Sequence, residues 1–401
     1  MARTRIISQS KALFVSPTGL LATNYGYPAD SGALSPQQLH RIDTFSFDVD
    51  IAGSRQDIRE FGQLARLDSI RVGEITPTLS FGYWLGDGAN EHNLGLNTQG
   101  INGLGPLSQM VSGILSEDVN KKEKNIYLLT VSEGVDAFDP TAYSTSARND
   151  HDVVGFGNAS VTSYSINLAV GEIPRADVEM ECGNIRFYNN ASSGSAMINP
   201  SLIRETAETL DTGQFVIPQP STGVTSVDVL RHGDITVNFS NNSVGIGGVD
   251  LSGVHLQTAS IEVPLSRTAI ERIGSQLPYA RPLDFPINTT LTLNGFVNEF
   301  TDGGLQSILT GCSDQTDTDI TITIKDRCQE GDKLKYVFKK AVLDSQNFSI
   351  GLDDNETVDL TFSAQIGGAT STDAGVFMSG YFDGIAVTGR DNEYPAYYVA
   401  G

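Results

Sequence analysis

An internal duplication constrains this fold more than any other feature of the sequence. The stretch from Phe45 to Leu85 returns 212 positions later, from Gln257 to Val297. Both copies run from an alternating apolar and polar segment, through a segment that begins with Ser-Arg and ends in Gly, to a second alternating segment. A period of about 200 residues is far longer than that of a solenoid repeat, so the chain is predicted to contain two tandem domains.

Later blocks repeat in the same order. Ile126–Val131 matches Ile320–Lys325 at a spacing of 194, and Tyr164–Cys182 matches Asp344–Phe362 at a spacing of 180. The spacing falls from 212 to 194 and then to 180, so the first copy carries 18 extra residues within 88–112 and 14 more within 132–158. Long added loops are usually retained for a task such as contact with another molecule.

Strands are predicted wherever apolar and polar residues alternate, and the 41 glycines predict many turns. Ser54–Gly62 and its copy Ser266–Gly274 each predict a short helix, because serine can cap a first turn and glycine can end a last one. A third short helix is predicted over Leu107–Glu117. The predicted class is all-β with short helices, arranged as two tandem β-sandwich or barrel domains that each have a flanking helix and are joined by a structured connector. The predicted parts are an N-terminal arm at 1–40, a first domain at 41–190, the connector at 191–250, a second domain at 251–385 and a tail at 386–401.

Carboxylates alternate with apolar residues on the predicted strands. On one strand Asp177, Glu179 and Glu181 share the side opposite Val178 and Met180. Alternation places such carboxylates on one face, but it leaves open whether that face lines the inside of an assembly or is an outer solvated face. The candidates for a functional acidic face are Asp48, Asp50, Asp177, Glu179, Glu181, Glu262 and Asp359.

The formal net charge of −22 argues against binding to nucleic acid or to anionic membranes, because both depend on Lys and Arg neutralising phosphate charge. The same charge also fits a protein that acidity merely keeps in solution. We predict no signal peptide and no membrane span, since no apolar stretch is long enough for either.

Catalytic motifs are not evident in the sequence. The five histidines have no carboxylate or cysteine at catalytic or metal-ligand spacing, and no nucleotide-binding or nucleophile fingerprint occurs. The strand carboxylates form rows, whereas a glycosidase needs two that converge across a cleft. We therefore expect no enzymatic activity, no catalytic residue, no cofactor and no metal site. Three cysteines cannot form a complete disulfide framework, so Cys182 is expected in the core and the role of Cys312 and Cys328 stays open.

The order of these segments resembles the tail tube proteins of tailed bacteriophages. The resemblance lies in an alternating strand, a Ser-led segment with Arg55 and Gly62, and an aromatic strand that ends in Asp87-Gly88. The resemblance covers about 41–190 and again about 251–385. The duplication itself resembles that of tube proteins from phages whose tube rings are trimers with pseudo-sixfold symmetry rather than hexamers. It implies a β-sandwich or barrel with a helix, whose sheet joins that of its ring neighbours around a lumen through which DNA leaves the capsid.

The partners and location follow from that resemblance. It implies self-assembly into stacked rings, contacts with the tape measure, tail terminator and distal tail proteins, transit of DNA without tight binding, and assembly in the host cytoplasm into the virion tail. The acidic face would line the lumen, and the extra loops would contact the next ring. The alternative is a receptor-binding or adhesin-like surface protein, which would also be acidic, Gly-rich and free of catalytic motifs. The ring-stacking candidates are Asn90, His92, Asn102, Asp139, Tyr143 and His151.

Overall fold

A computed structural model describes the parts of the chain that carry most of its strands. The described residues are 11–18, 36–51, 54–86, 88–96, 99–100, 108–115, 123–131, 136–137, 151–191, short pieces between 197 and 220, 230–240, 243–244, 249–250, 254–274, 278, 280–297, 318–325, 332–349, 356–368 and 371–380.

The first part of the chain is built almost entirely of strands. Its described residues form two α-helices, both short: α1 spans Ala89–Asn93 and α2 spans Ser112–Leu115. The strands are β1 Lys11–Pro17, β2 Gln37–Leu39, β3 Ile42–Val49, β4 Arg55–Ile58, β5 Asp68–Arg71, β6 Pro77–Trp84, β7 Gln99–Gly100, β8 Ser108–Gln109, β9 Lys124–Thr130, β10 His151–Ala169, β11 Arg175–Glu181 and β12 Asn184–Ala191.

The remainder of the chain continues in the same way, and in its described residues a 3₁₀ turn at His232–Asp234 is the helical element. Its strands are β13 Met197–Ile198, β14 Leu202–Ile203, β15 Glu208–Thr209, β16 Gln214–Phe215, β17 Ile235–Phe239, β18 Ser243–Val244, β19 Val249–Asp250, β20 His255–Pro264, β21 Asn288–Phe296, β22 Thr318–Lys325, β23 Asp332–Ser349, β24 Thr357–Gln365 and β25 Gly375–Gly380. The chain is therefore all-β with short helices, as predicted.

One antiparallel sheet of eight strands, the central sheet, connects the two copies. Its order is β3-β6-β11-β10-β20-β21-β24-β23. The first four strands form one half-sheet and the last four form the other, and β10 pairs with β20 where they meet. Among the described residues the central sheet is open, with β3 at one edge and the second part of β23 at the other, so the barrel form of the prediction is not seen in that part of the chain.

The long strands β10 and β23 each leave the central sheet and continue into a flanking sheet. The first flanking sheet has the order β2-β1-β9-β10-β12, and the second has the order β17-β22-β23-β25, with β7 and β8 against β25. The arm strand β1 is thus a core strand, and the connector strand β17 belongs to the second flanking sheet. One apolar core lies between the central and flanking sheets, and its members include Phe81, Phe156, Leu291 and Phe338, each at most 2% exposed.

The two half-sheets have the same strand order and irregularities at equivalent places. The β10–β11 register shifts between Val161 and Ser163, and the β23–β24 register shifts between Leu343 and Ser345, 182 positions later. The β3–β6 shift at Ile42/Thr44 has its counterpart in the β20–β21 shift at Leu256/Thr258, 214 positions later. These spacings exceed the sequence-based ones by two residues, which keeps every side chain on its predicted face. The domain boundaries themselves stay a prediction.

The helix expected over Ser54–Gly62 is wrong, because this segment forms a hairpin. β4 pairs with β5, and the Ser54 hydroxyl donates to the carbonyl of Ile51 instead of capping a helix. Its copy over Ser266–Gly274 is extended as well, with bridges from Arg267 to Leu283 and from Ile270 to Ala280. A cap signal and two apolar residues are too little to nucleate a helix when the backbone can pair across a hairpin instead.

The flanking-helix part of the fold prediction therefore fails for the described residues. The helix predicted over Leu107–Glu117 is also shorter than expected. Ser108 and Gln109 are in β8, and the Gln109 amide donates to the carbonyls of Ser371 and Ala374, which holds this stretch extended ahead of α2. The α2 residue Ile114 is buried in the core, as its apolar face predicted.

Candidate functional site

The polar face of the central sheet collects the predicted acidic residues. Asp48, Asp177, Glu179 and Glu262 are exposed on it, whereas Ala176, Val178 and Met180 on the opposite side of β11 are buried. Glu181 and Asp359 are half-buried, and Asp50 is exposed just beyond β3. Period-two alternation thus places the carboxylates as predicted, on one side of a sheet whose other side packs on the core. That this face lines a lumen stays a prediction.

Acidic positions are repeated between the half-sheets. With the spacings set by strand pairing, Asp48 is equivalent to Glu262 and Asp177 is equivalent to Asp359. Glu179 and Glu181 have Thr361 and Ser363 as their counterparts. The sequence spacings of 212 and 180 instead match Asp50 with Glu262 and Glu179 with Asp359, two residues away from the equivalences that strand pairing defines.

Hydroxyl side chains separate the exposed carboxylates across the sheet. Glu179 lies between Ser80 of β6 and Ser163 of β10, and Glu262 lies between Ser165 of β10 and Thr290 of β21. One such row, Asp177-Ser165-Glu262-Thr290, crosses the β10–β20 junction, whereas the row that contains Glu179 ends there because Ser163 faces Pro264. An aromatic residue ends the polar face in each half-sheet, at the equivalent positions Trp84 and Phe296.

Arg175 neutralises part of this face. Its guanidinium contacts Asp43 and Asp177, both at 2.9 Å, and donates to the Thr44 hydroxyl at 2.8 Å. Gly82 makes this possible, because a side chain there would collide with Arg175 and Asp177. In the second half-sheet the residue equivalent to Gly82 is Asn294, whose amide donates to Asp359 at 2.5 Å. The exposed negative charge therefore concentrates on Asp48, Glu179 and Glu262.

A nearly buried arginine holds the two half-sheets together beside this face. Arg281, whose side chain is 10% exposed, contacts Glu74 at 2.7 Å and Glu181 at 3.1 Å and donates to the Thr76 hydroxyl at 2.9 Å. Arg281 follows β20, whereas all three partners belong to the first half-sheet and its approach. We call this group the Arg281 clamp. Sequence reasoning missed it because its members are about 100 to 207 positions apart.

A buried carboxylate lies within the core near the same junction. Glu91 of α1 is 1% exposed and accepts hydrogen bonds from the hydroxyls of Tyr83 at 2.8 Å and Tyr164 at 3.0 Å. Burial, reinforced by the charge of Glu91, holds the pKa of Tyr83, Tyr164 and Tyr336 well above the usual tyrosine range. The arrangement joins two tyrosines of the first copy, on β6 and β10, to the first extra loop.

The described residues of the first extra loop make contacts within their own chain. Asn90 is buried, donates to the carbonyl of His40 at 2.8 Å and accepts from its amide at 3.0 Å. β7 and β8 of the same loop pair with β25 of the second copy. Of the other stacking candidates, His92 is half-buried and His151 begins β10. Asn102, Asp139 and Tyr143 lie outside the described residues, so a stacking role for these loops stays a prediction.

The strongest apolar exposure is on two equivalent hairpins that the sequence predicted as helices. The first hairpin is 54–72 and the second is 266–283. Phe61 and Leu64 near the tip of the first are 108% and 105% exposed, and Ile273 of the second, equivalent to Phe61, is 105% exposed. The glycine next to each equivalent tip residue has a positive φ, 94° at Gly62 and 93° at Gly274, as the glycine signal predicted. Exposed apolar clusters of this kind mark interaction surfaces.

The remaining groups offer no assembled centre among the described residues. In that part of the chain no group of three or more His, Cys, Asp or Glu residues could hold a metal ion, and no helix is long and apolar enough to cross a membrane. Cys182 is a buried free thiol whose pKa burial raises, as expected of a core residue, whereas Cys312 and Cys328 lie outside the described residues.

Comparison with known proteins does not assign the chain to a family. No protein-family model matches it, and no curated protein matches it.

Proposed function

We propose that this chain is the tube subunit of a bacteriophage tail, a structural protein that assembles into stacked rings around a channel for DNA. The observation that carries the proposal is the central sheet. Two equivalent half-sheets are joined edge to edge inside one chain, and the outer edges repeat the strands found at that junction. If further chains pair edge to edge in the same way, the sheet grows, and pairing of the last chain with the first closes a ring. Three chains would supply six half-sheets, which is the pseudo-sixfold trimer favoured over a hexamer.

The polar face suits the lumen of such a ring. Asp48, Glu179 and Glu262 would repel DNA phosphates at short range, and the intervening hydroxyls add no positive charge. A basic lining would instead bind DNA through release of its counterions and hold it in place. Trp84 and Phe296 stand at one end of the face, so the lining has no continuous row of aromatic rings on which bases could stack.

The two hairpins are the surface that best suits stacking of one ring on the next. The second hairpin already touches a neighbouring half-sheet through Arg281, yet Ile273 at its tip stays fully exposed. Phe61 is the equivalent of Ile273, so the adjacent chain of the same ring would leave Phe61 exposed as well. A further copy of the chain along the tube axis would cover both tips. The tape measure, tail terminator and distal tail proteins would meet the two ends of the stack.

A receptor-binding or adhesin-like protein is the competing class. Such a protein would place its exposed apolar and polar groups at a ligand-binding tip and would stay at a fixed, small oligomeric state. A tube subunit polymerises without a ligand.

Negative-stain microscopy of the purified, concentrated protein separates these classes. The proposal predicts rings or hollow filaments of uniform diameter. A monodisperse particle without a channel at every concentration would overturn it.

A further inference from the structure

The junction inside the chain provides a template for a junction between chains. There β10 and β20 pair antiparallel over seven positions, from Ser163 with Pro264 to Ala169 with Thr258. Ile166 and Ile261 face each other on the apolar side and are at most 1% exposed. Ser165 and Glu262 face each other on the polar side.

The two outer edges of the central sheet are the equivalents of these strands. The second part of β23 corresponds to β10 at a spacing of 182, and β3 corresponds to β20 at a spacing of 214. Among the described residues, each of these two strands pairs within the central sheet on one side only. The β23 edge of one copy could therefore pair with the β3 edge of another copy as β10 pairs with β20 inside the chain.

We propose that β23 of one copy pairs with β3 of a second copy in the register of the internal junction. This inference rests on the proposed ring. On the polar face it pairs Ser345 with Asp50, Asn347 with Asp48 and Ser349 with Ser46. On the apolar face it pairs Gln346 with Val49 and Phe348 with Phe47.

The aromatic pair supports this register. Phe348 is 37% exposed and Phe47 is 41% exposed, whereas their internal equivalents Ile166 and Ile261 are buried. Both aromatic residues lie on the side of the sheet that faces the core, and Phe47 already packs on Phe156 with ring centroids 5.3 Å apart. Pairing two such strands covers both rings, and facing aromatic residues stabilise antiparallel strands.

The proposed junction lacks the Arg281 clamp. At the spacings of the two half-sheets, Ser69 stands where Arg281 would be, and its three partners are replaced by Pro286, Asn288 and Ser363. Without the buried Arg281–Glu74 pair and the half-buried Arg281–Glu181 pair, the junction between chains is the weaker of the two. Because the internal junction is the stronger one, the two half-sheets join when the chain folds, and rings form only above a certain protein concentration.

Disulfide cross-linking tests the register directly. The chain carries Asp48→Cys and Asn347→Cys, with Cys312 and Cys328 replaced by serine, and is oxidised with copper-phenanthroline after assembly. Facing residues of antiparallel strands have Cα atoms about 4.5–5.5 Å apart, which is within disulfide reach. The same two residues stand seven strand spacings apart within one chain, roughly 34 Å along the sheet, so a cross-link reports contact between copies. We expect a ladder on a non-reducing gel whose largest member counts the chains in a ring.

The control carries Ser46→Cys and Ser345→Cys on the same two strands and the same face. In the proposed register these residues are four positions out of line, roughly 13 Å apart, and should not cross-link. Rings that cross-link through the control pair, or through neither pair, would overturn the register while leaving the proposed ring intact. Absence of rings in both variants and in the unmodified chain would instead overturn the proposed function, and with it this junction. Cross-linking within single chains would show that β3 and β23 of the same chain meet and that the sheet closes on itself, which also contradicts the proposal.

A substitution provides a second measurement. Phe348→Asp should leave the far-ultraviolet circular dichroism of the monomer unchanged and raise the concentration needed for ring assembly at least tenfold. Phe187→Asp, at a more exposed phenylalanine of β12, is the matched control and should assemble normally. Equal assembly of the two variants would contradict the aromatic contact.

Discussion

At the scale of single residues, Arg281 is the side chain on which the union of the half-sheets depends most. It is nearly buried, and its removal would leave Glu74, whose side chain is 9% exposed, without its cation. Breaking a buried ion pair by deleting one partner costs about 3–5 kcal/mol, and the partial exposure of Glu181 reduces that. We predict that Arg281→Met lowers the free energy of unfolding by about 2–4 kcal/mol in urea denaturation.

The matched control for that substitution is Arg231→Met. Arg231 contacts Asp234 at 3.1 Å, but its side chain is 50% exposed, and exposed pairs contribute at most about 1 kcal/mol. Equal effects of the two substitutions would mean that the Arg281 clamp does not join the half-sheets.

The buried tyrosines should make the free energy of unfolding depend on pH in the alkaline range. In the unfolded chain a tyrosine releases its proton near pH 10, whereas Tyr83, Tyr164 and Tyr336 retain theirs in the fold because burial and Glu91 raise their pKa values. Above about pH 10 the folded state therefore binds more protons than the unfolded state, and stability falls as pH rises. Urea denaturation between pH 8 and pH 11 should show a shallow decline in the free energy of unfolding from about pH 8.5, where the Cys182 thiol ionises in the unfolded chain only, and a steeper decline beyond about pH 10. The Tyr83→Phe, Tyr164→Phe double variant should decline less steeply, and an unchanged slope would contradict this assignment.

At the scale of elements, the hairpins are predicted to hold successive rings together. Phe61→Ser with Ile273→Ser removes apolar area that the monomer does not bury, so monomer stability should change by less than about 0.5 kcal/mol. Rings should still form, and the mean tube length in micrographs should fall several-fold.

The control for the hairpins is Val170→Ser, at an exposed valine immediately after β10. Tubes of normal length from the hairpin variant would assign stacking to another surface. In that case residues 138–150, the part of the second extra segment that directly precedes β10, would be the next to delete.

The strands could be predicted from sequence and the contacts between them could not. Alternation is a local signal, so the faces of β11 and β20 followed directly from residue order. The first hairpin was missed because Ser54, an acid and Gly62 suit a helix as well as a turn, and only pairing with 68–71 decides between them. The Arg281 clamp, the Glu91 cluster and the β10–β20 junction join residues far apart in sequence, and no local pattern contains that information.

At the scale of the whole molecule, the acidic face is predicted to keep DNA moving. Glu179→Lys with Glu262→Lys should leave the monomer folded, since exposed carboxylates contribute little to stability. Particles with such tubes should retain DNA and lose infectivity, and the loss should be greatest at low ionic strength, where attraction between lysine and phosphate is least screened.

The control for charge reversal is Asp136→Lys with Asp373→Lys, two exposed carboxylates that lie outside the strands of the central sheet. That variant has the same net charge and should eject DNA normally. Normal ejection by both variants would show that the polar face does not meet the DNA.

In the proposed function, the polar face of the central sheet lines the channel of a tube made from this chain. Cryo-electron microscopy of the assembled protein tests it directly, because the side chains of Asp48, Glu179 and Glu262 can be located in the map. We predict these carboxylates on the inner wall, with the flanking sheets outside and β23 paired with β3 of the next chain. A tube that carries the same carboxylates on its outer surface would contradict it.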